Sequence, residues 1–305
     1  MGQRIAITGA SGFVGRALAA RLEQSGHAVV RLVRGPAHAP GCVRWQPDTG
    51  ELDVRALGTV DAVVHLAGEN VAGGRWTAAR RAAIAASRGP ATQLLARSLA
   101  RLPVPPTTLV SASATGIYGD RGDECLDERS PPGHGFLAEV AKAWEAGTQP
   151  AATAGIRVVH LRIGMVLDQS GGALARMRLP FRLGLGGRLG SGRQWLSWIH
   201  RDDLVAAIAF ALATASLRGP VLAVAPEPVT NREFTRALGR ALHRPAFLPV
   251  PAFALRLLLG AMADELLLAS QRAVPRALAA AGFRFDHPNL PDALATALAP
   301  APRKA

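Results

Sequence analysis

The stretch that most constrains this chain is RIAITGASGFVG, residues 4 to 15. RIAIT is an apolar run of strand length. Gly9, Gly12 and Gly15 then give G-x-x-G-x-x-G, and FVGRALAARLEQSG follows with Val14, Ala17, Leu18 and Leu22 at helical spacing. A strand, a glycine turn and an amphipathic helix in direct succession form the first half of a dinucleotide-binding unit. Glycine permits the tight turn and a close approach of backbone N–H groups to a pyrophosphate, and the helix start adds a partial positive charge. The expected cofactor-binding residues here are Gly9, Ser11, Gly12, Phe13, Val14 and Gly15.

The alternation continues. AVVRLV, DAVVHLA, PTTLVSAS, RVVHLRIGMVL and PVLAVA read as strands, with helices expected near 77–101, 135–149 and 203–215. Strands alternating with helices predict an α/β fold, a Rossmann-type doubly wound parallel sheet. After residue 165 the pattern changes to a glycine-rich basic loop and then to helices, one opening on a capping box at Thr230 and Glu233. This predicts a dinucleotide-binding domain from 1–165 plus 199–225. A smaller, mostly helical C-terminal lobe is expected from 166–198 plus 226–299, with a frayed tail at 300–305.

The end of the second strand selects the cofactor. An Asp or Glu there binds the ribose 2′-hydroxyl of NAD. This chain reads VVRLVRG instead, and Arg34 is placed to pair with a 2′-phosphate, with Arg16 in support. NADP(H) is therefore expected over NAD(H), against the alternative that Arg34 is a solvated loop charge.

The chain carries a net charge of +13, which raises the question of polyanion binding. The arginines are dispersed among alanines, with no dense basic tail and no aromatic-basic stripe, so no nucleic-acid partner is expected. Cys42 and Cys125 match no metal or redox spacing. The apolar stretch AFALRLLLGAMADELLLA is interrupted by Arg256, Asp264 and Glu265, which argues against a membrane span. A cytoplasmic protein with no membrane partner is expected.

These residues resemble the extended short-chain dehydrogenase/reductase superfamily of nucleotide-sugar epimerases and dehydratases. TGASGFVG, VVHLAG, LVSASATGIYG and WIHRDDLV carry the likeness. HLAGENVAGGRW, AASR, PFRLGLGGRLGSGRQWLSWIH, APEPVTN, LLLASQRAVP and AAGFRF resemble an atypical subgroup, the "epimerase family proteins" with a short C-terminal domain. The resemblance implies an NADP(H)-dependent oxidoreductase or epimerase, with Leu66, Ala67 and Gly68 at the cofactor. By analogy it also implies a homodimer paired through the helix at 77–101.

Typical members use Tyr-x-x-x-Lys on a helix, where the tyrosine exchanges the substrate proton and the lysine lowers its pKa. Tyr118, the only tyrosine, is followed four residues later by Gly122. If Glu145 occupies the family's glutamate position, Leu137 and Ala141 fill the dyad positions, and Lys142 is about 100° around the helix. The standard dyad is absent, as the subgroup resemblance also implies. Ser113 and Tyr118 remain as catalytic candidates, Tyr118 either presenting a hydroxyl to the cleft or packing as a loop aromatic. Thr115 is an alternative to Ser113; Ser111 reads as buried.

Arg88 reads as a cofactor or substrate contact or as an exposed helix arginine, and His65 as structural or cofactor-touching. Glu69 and Asn70 follow a strand end and are candidates for holding the nicotinamide-side ribose or a small-molecule substrate. Arg182, Arg188 and Arg193 are either an anion clamp, which would make that substrate anionic, or surface charges. Trp195 and Trp198 read as packing or as a stacking surface. Asp202 or Asp203 is expected to cap a helix, with His200 packing nearby. No metal site is expected.

Overall fold

A computed structural model of the protein describes residues 2–299. The tail at 300–305 lies outside the described residues. Seven strands form one sheet: β1 Arg4–Thr8, β2 Ala28–Val33, β3 Cys42–Arg44, β4 Ala62–His65, β5 Thr108–Ala114, β6 Arg157–Ile163 and β7 Gly219–Ala223. They lie in the order β7-β6-β5-β4-β1-β2-β3, and every pairing is parallel. The chain reverses direction across the sheet between β3 and β4, which makes the C-terminal ends of β1 and β4 the switch point where such sheets bind ligands.

Both faces of the sheet are covered, which is why its strands are apolar throughout rather than alternating with polar residues. Ile5, Ile7, Val64, Val110 and Leu161 pack against α1 (Phe13–Gln24) and a helix at Arg201–Ala213. Ala6, Val30, Val63, Leu109 and Val158 face the other way, against Leu95 and Leu99.

The helix expected at 77–101 is two helices. α2 spans Ala78–Ala86 and α3 spans Gly89–Ala100, with the break at Ser87 and Arg88. Pro90 is the cause: it has no N–H for the carbonyl of Ala86, and its ring clashes with that carbonyl in a continuous helix. The helix expected near 135–149 is α4, Phe136–Ala146. α5, Gly172–Arg182, lies just before the glycine-rich stretch that reads as loop, and is a helix the sequence pattern did not single out. The helix at Arg201–Ala213 is α6, and α7, Asn231–Ala241, opens on the predicted Thr230–Glu233 capping box. A second core joins Leu167, Leu174 and Trp198 to Phe234, Leu238 and Leu294, and so draws on both sides of α6 and β7.

Candidate functional site

The glycine turn is built so that side chains would not fit. Gly9 has φ +67, and a Cβ there would lie 2.9 Å from Ala67 N. A Cβ on Gly15 would lie 2.2 Å from the Gly9 carbonyl. The turn therefore presses against the end of β4 on one side and α1 on the other. Gly12 is the N-cap of α1, with no side-chain cap and no acid in the first turn, so the first helical N–H groups remain available to an anion. Arg34 is exposed just past β2. Thr8 pairs with Leu32, so the register brings Arg34 alongside the turn.

The strand ends are tied together by one hydroxyl. Leu66 and Ala67 each donate a backbone N–H to Thr8 Oγ1 at 3.1 Å. With both lone pairs used, the Thr8 proton goes to His65 Nδ1 at 2.7 Å. His65 is then the Nε2–H tautomer, donating to Thr92 Oγ1 at 2.9 Å. Burial lowers its pKa to about 4. His65 is a neutral brace holding Leu66–Gly68 in position, not an exposed ligand group.

Arg88 is buried, not an exposed helix arginine. Its Nη2 donates to the Glu69 carbonyl at 2.9 Å, its guanidinium lies over the Trp144 ring, and a Cβ on Gly68 would sit 3.6 Å from it. It supports the loop after β4 from beneath. Burial lowers its pKa to about 10, which leaves it charged at neutral pH. Glu69 pairs with Arg80 at 3.2 Å, and Arg80 also donates to the Asn70 carbonyl at 2.5 Å. These two substrate candidates are thus fastened to α2.

At the end of β5 a charged network fills the space beside the sheet. Ser113 and Arg162 are register partners on adjacent strands, and both bind Glu145 of α4. Ser113 Oγ donates to Glu145 Oε1 at 2.8 Å. Arg162 grips both carboxylate oxygens, at 2.8 and 2.9 Å, and also donates to Tyr118 Oη at 2.9 Å. Tyr118 in turn donates to the Asp127 carbonyl at 2.9 Å. Burial works against the Arg162 charge, but Glu145 outweighs it and the pKa is raised. Tyr118 is 0% exposed, and burial pushes its pKa up to about 12. A cleft-facing hydroxyl does not fit this geometry; the packed loop aromatic does. The Ser113 proton is likewise directed to Glu145, and Ser111 and Thr115 are also buried.

The dyad positions are apolar. Ala141 is buried in the cluster containing Tyr118, and Leu137 packs near Gly116. Lys142 is turned outward, paired with Glu139. The backbone N–H of Leu137 donates to Glu265 at 2.7 Å, so a carboxylate from the C-terminal region caps α4. That contact spans 128 residues and has no local signature in the sequence.

Phe13 connects the turn to the C-terminal lobe. Its ring lies so close to Gly171 and Gly172 that a Cβ on Gly171 would be 2.8 Å away. Arg182 is exposed at the far end of α5, about 16 Å along an 11-residue helix from that contact. Arg193 is exposed as well, while Arg188 donates to the carbonyls of Gly190 and Ser191 and shapes its own turn. No hydrogen bond or ion pair among the described residues links the three to Glu69 or Asn70, whose side-chain and carbonyl partners include Arg80 and Arg88.

Capping of α6 differs from expectation. Neither Asp202 nor Asp203 is the cap: His200 Nδ1 accepts the Asp202 N–H at 3.2 Å. Asp203 is buried and accepts the N–H groups of Asp286 and His287, at 2.8 and 3.0 Å. Burial and then the neighbouring His287 lower the His200 pKa to about 4. Trp198 is buried with its indole N–H on the Glu227 carbonyl, and Trp195 donates to Asp123. No cluster of metal-ligating side chains occurs among the described residues, and none of their helices is long and apolar enough to cross a membrane.

Comparison with known proteins agrees with this geometry. Residues 5–225 match the NAD dependent epimerase/dehydratase family model, and residues 250–297 match a domain of unknown function (DUF1731). Epimerase family protein Mb2239 of Mycobacterium bovis is 47% identical over 291 residues, 95% of this chain and 96% of that protein. The crystal structure of the human epimerase family protein SDR39U1 (isoform 2) with NADPH is similar at a TM-score of 0.88. It is 35% identical and covers 96% of this chain and 98% of the human one. A nucleoside-diphosphate sugar epimerase from Corynebacterium glutamicum reaches a TM-score of 0.82 at 38% identity, over 98% of this chain and 58% of that one.

Proposed function

We propose that this chain, which belongs to the NAD dependent epimerase/dehydratase family, binds NADP(H) at the switch point and acts as an oxidoreductase or epimerase-like enzyme without the Tyr-x-x-x-Lys dyad. The observation that carries the cofactor reading is the pairing of a glycine cradle too tight for any side chain with Arg34, and no acid, at the end of β2. The uncapped start of α1 would hold the pyrophosphate, Arg34 the 2′-phosphate, and Leu66–Gly68, braced by Thr8 and His65, the far half of the dinucleotide. When bound, the nicotinamide supplies hydride transfer. The human relative crystallised with NADPH supports the same choice. A small molecule is the proposed substrate, held near Glu69 and Asn70.

Fluorescence titration with NADPH and NADH tests this reading. NADPH is expected to bind at least about tenfold more tightly, and Arg34→Glu to remove most of that preference, since a charged hydrogen bond contributes about 1.5–3 kcal/mol. Equal affinities would remove the 2′-phosphate assignment; no binding of either would overturn the whole proposal.

A second reading has its own observation. Leu137 and Ala141 hold the dyad positions, and the hydroxyls of Ser113 and Tyr118 are committed internally. This favours a binding protein that responds to NADPH with little or no turnover. A metabolite screen for NADPH consumption separates the two.

A further inference from the structure

The C-terminal lobe carries a basic feature that the dinucleotide site does not use. Arg232, Arg236 and Arg240 recur every four residues on α7, and Arg244 follows just past its end. Like charges at this spacing repel one another on a helix. No ion pair among the described residues involves any of the four. Three of them, Arg236, Arg240 and Arg244, line a wide-open surface cavity of about 740 Å³ together with His243 and Phe247, all five of them exposed, and no acidic residue lines it.

The turn under this cavity is tightly made. His243 has φ +53, the one positive value outside glycine among the described residues; it is the left-handed residue that closes α7, with the His243 and Arg244 N–H groups returning to the carbonyls of Arg240 and Gly239. A Cβ on Gly239 would meet Ala246 at 2.8 Å. Arg244 is fixed in place, its Nε donating to the Arg182 carbonyl at 3.0 Å and its Nη1 to the His243 carbonyl at 3.2 Å. The negative end of the α7 dipole opposes an anion here, but it amounts to about half a charge against three guanidiniums. The carbonyls of Leu238, Gly239 and Arg240 already accept N–H groups from Leu242, Arg244 and His243. Phe247, 74% exposed, adds an apolar wall.

We propose that this cavity is a second anion site, separate from the dinucleotide cleft, that takes a phosphate group carried on an apolar body. The guanidiniums bind the phosphate oxygens and Phe247 covers the attached body. A soluble phosphate ester and a phospholipid headgroup share this chemistry.

The test uses full-length protein saturated with NADPH, so that the first site is filled. Inorganic pyrophosphate is titrated calorimetrically at low salt, and co-sedimentation is measured with phosphatidylglycerol and with phosphatidylcholine vesicles. Binding of pyrophosphate, weakened about tenfold or more in Arg240→Glu/Arg244→Glu while NADPH affinity is unchanged, supports a soluble ligand. Binding of phosphatidylglycerol vesicles alone, weakened by the same variant and by Phe247→Ala, supports a headgroup. Should the double variant lose NADPH affinity through misfolding, Arg236→Gln/Arg240→Gln replaces it. Binding of neither probe, or binding that charge removal leaves unchanged, overturns the proposal.

Discussion

Arg162 and Tyr118 are joined by a 2.9 Å hydrogen bond in which the guanidinium donates and the phenol accepts. The phenol passes its own proton to the Asp127 carbonyl. The only tyrosine of the chain thus closes a structural network that starts at Ser113 and runs through Glu145.

Tyr118→Phe therefore acts on stability. It leaves a buried guanidinium N–H short of a partner, while the Asp127 carbonyl keeps the Ser130 N–H at 3.1 Å, at a cost of about 1–3 kcal/mol. Urea unfolding is expected to show this loss with NADPH affinity unchanged. Full stability with impaired cofactor binding or turnover would instead put the phenol in the chemistry.

Gly15→Ala tests the cradle. The added methyl would meet the Gly9 carbonyl at 2.2 Å, so the turn must move away from α1. NADPH titration is expected to show binding lost, and unfolding a destabilisation of about 1–3 kcal/mol from overpacking. Binding at wild-type strength would mean that the turn is not the phosphate site.

Two buried histidines make the fold acid-sensitive. His65 and His200 have pKa values lowered from 6.5 to about 4 in the folded protein. Between those values the unfolded chain takes up protons that the folded chain refuses, so stability is full above about pH 6.5 and falls as the pH drops towards 4. Each group contributes a slope of at most about 1.4 kcal/mol per pH unit. Denaturant unfolding from pH 7 to 4.5 is expected to flatten by up to that amount in His65→Asn; an unchanged slope would mean that His65 is protonated in the fold.

Asp203→Ala removes the acceptor of two backbone N–H groups in the 286–287 segment. Hydrogen exchange at those amides is expected to accelerate, and stability to fall by about 3 kcal/mol. Exchange that stays slow would show that the segment is held by other contacts.

The half of the molecule around the glycine turn was readable because it is built from local rules. RIAIT, the glycine triplet and the periodicity of α1 lie within about twenty residues, and each local preference agrees with the parallel sheet. The edge strand β3, Cys42–Arg44, escaped detection because three residues carry no period. The break at Arg88 was written in Pro90 but hidden by apolar spacing on both sides. The Ser113–Glu145–Arg162 network and the Glu265 cap had no local signature at all: their partners are distant in sequence, and a charged residue reads as exposed until its partner is known.

The seat of Phe13 between the glycine turn and Gly171–Gly172 bears on how such a chain can change over time. The aromatic ring set within the glycine turn, between Gly12 and Gly15, also packs on Gly171 and Gly172, and the second core is assembled from two stretches on either side of α6 and β7. A recombination event with a single crossover cannot exchange one part and keep the other intact. A chimaera that exchanges only one of these parts therefore has to rebuild the packing of both.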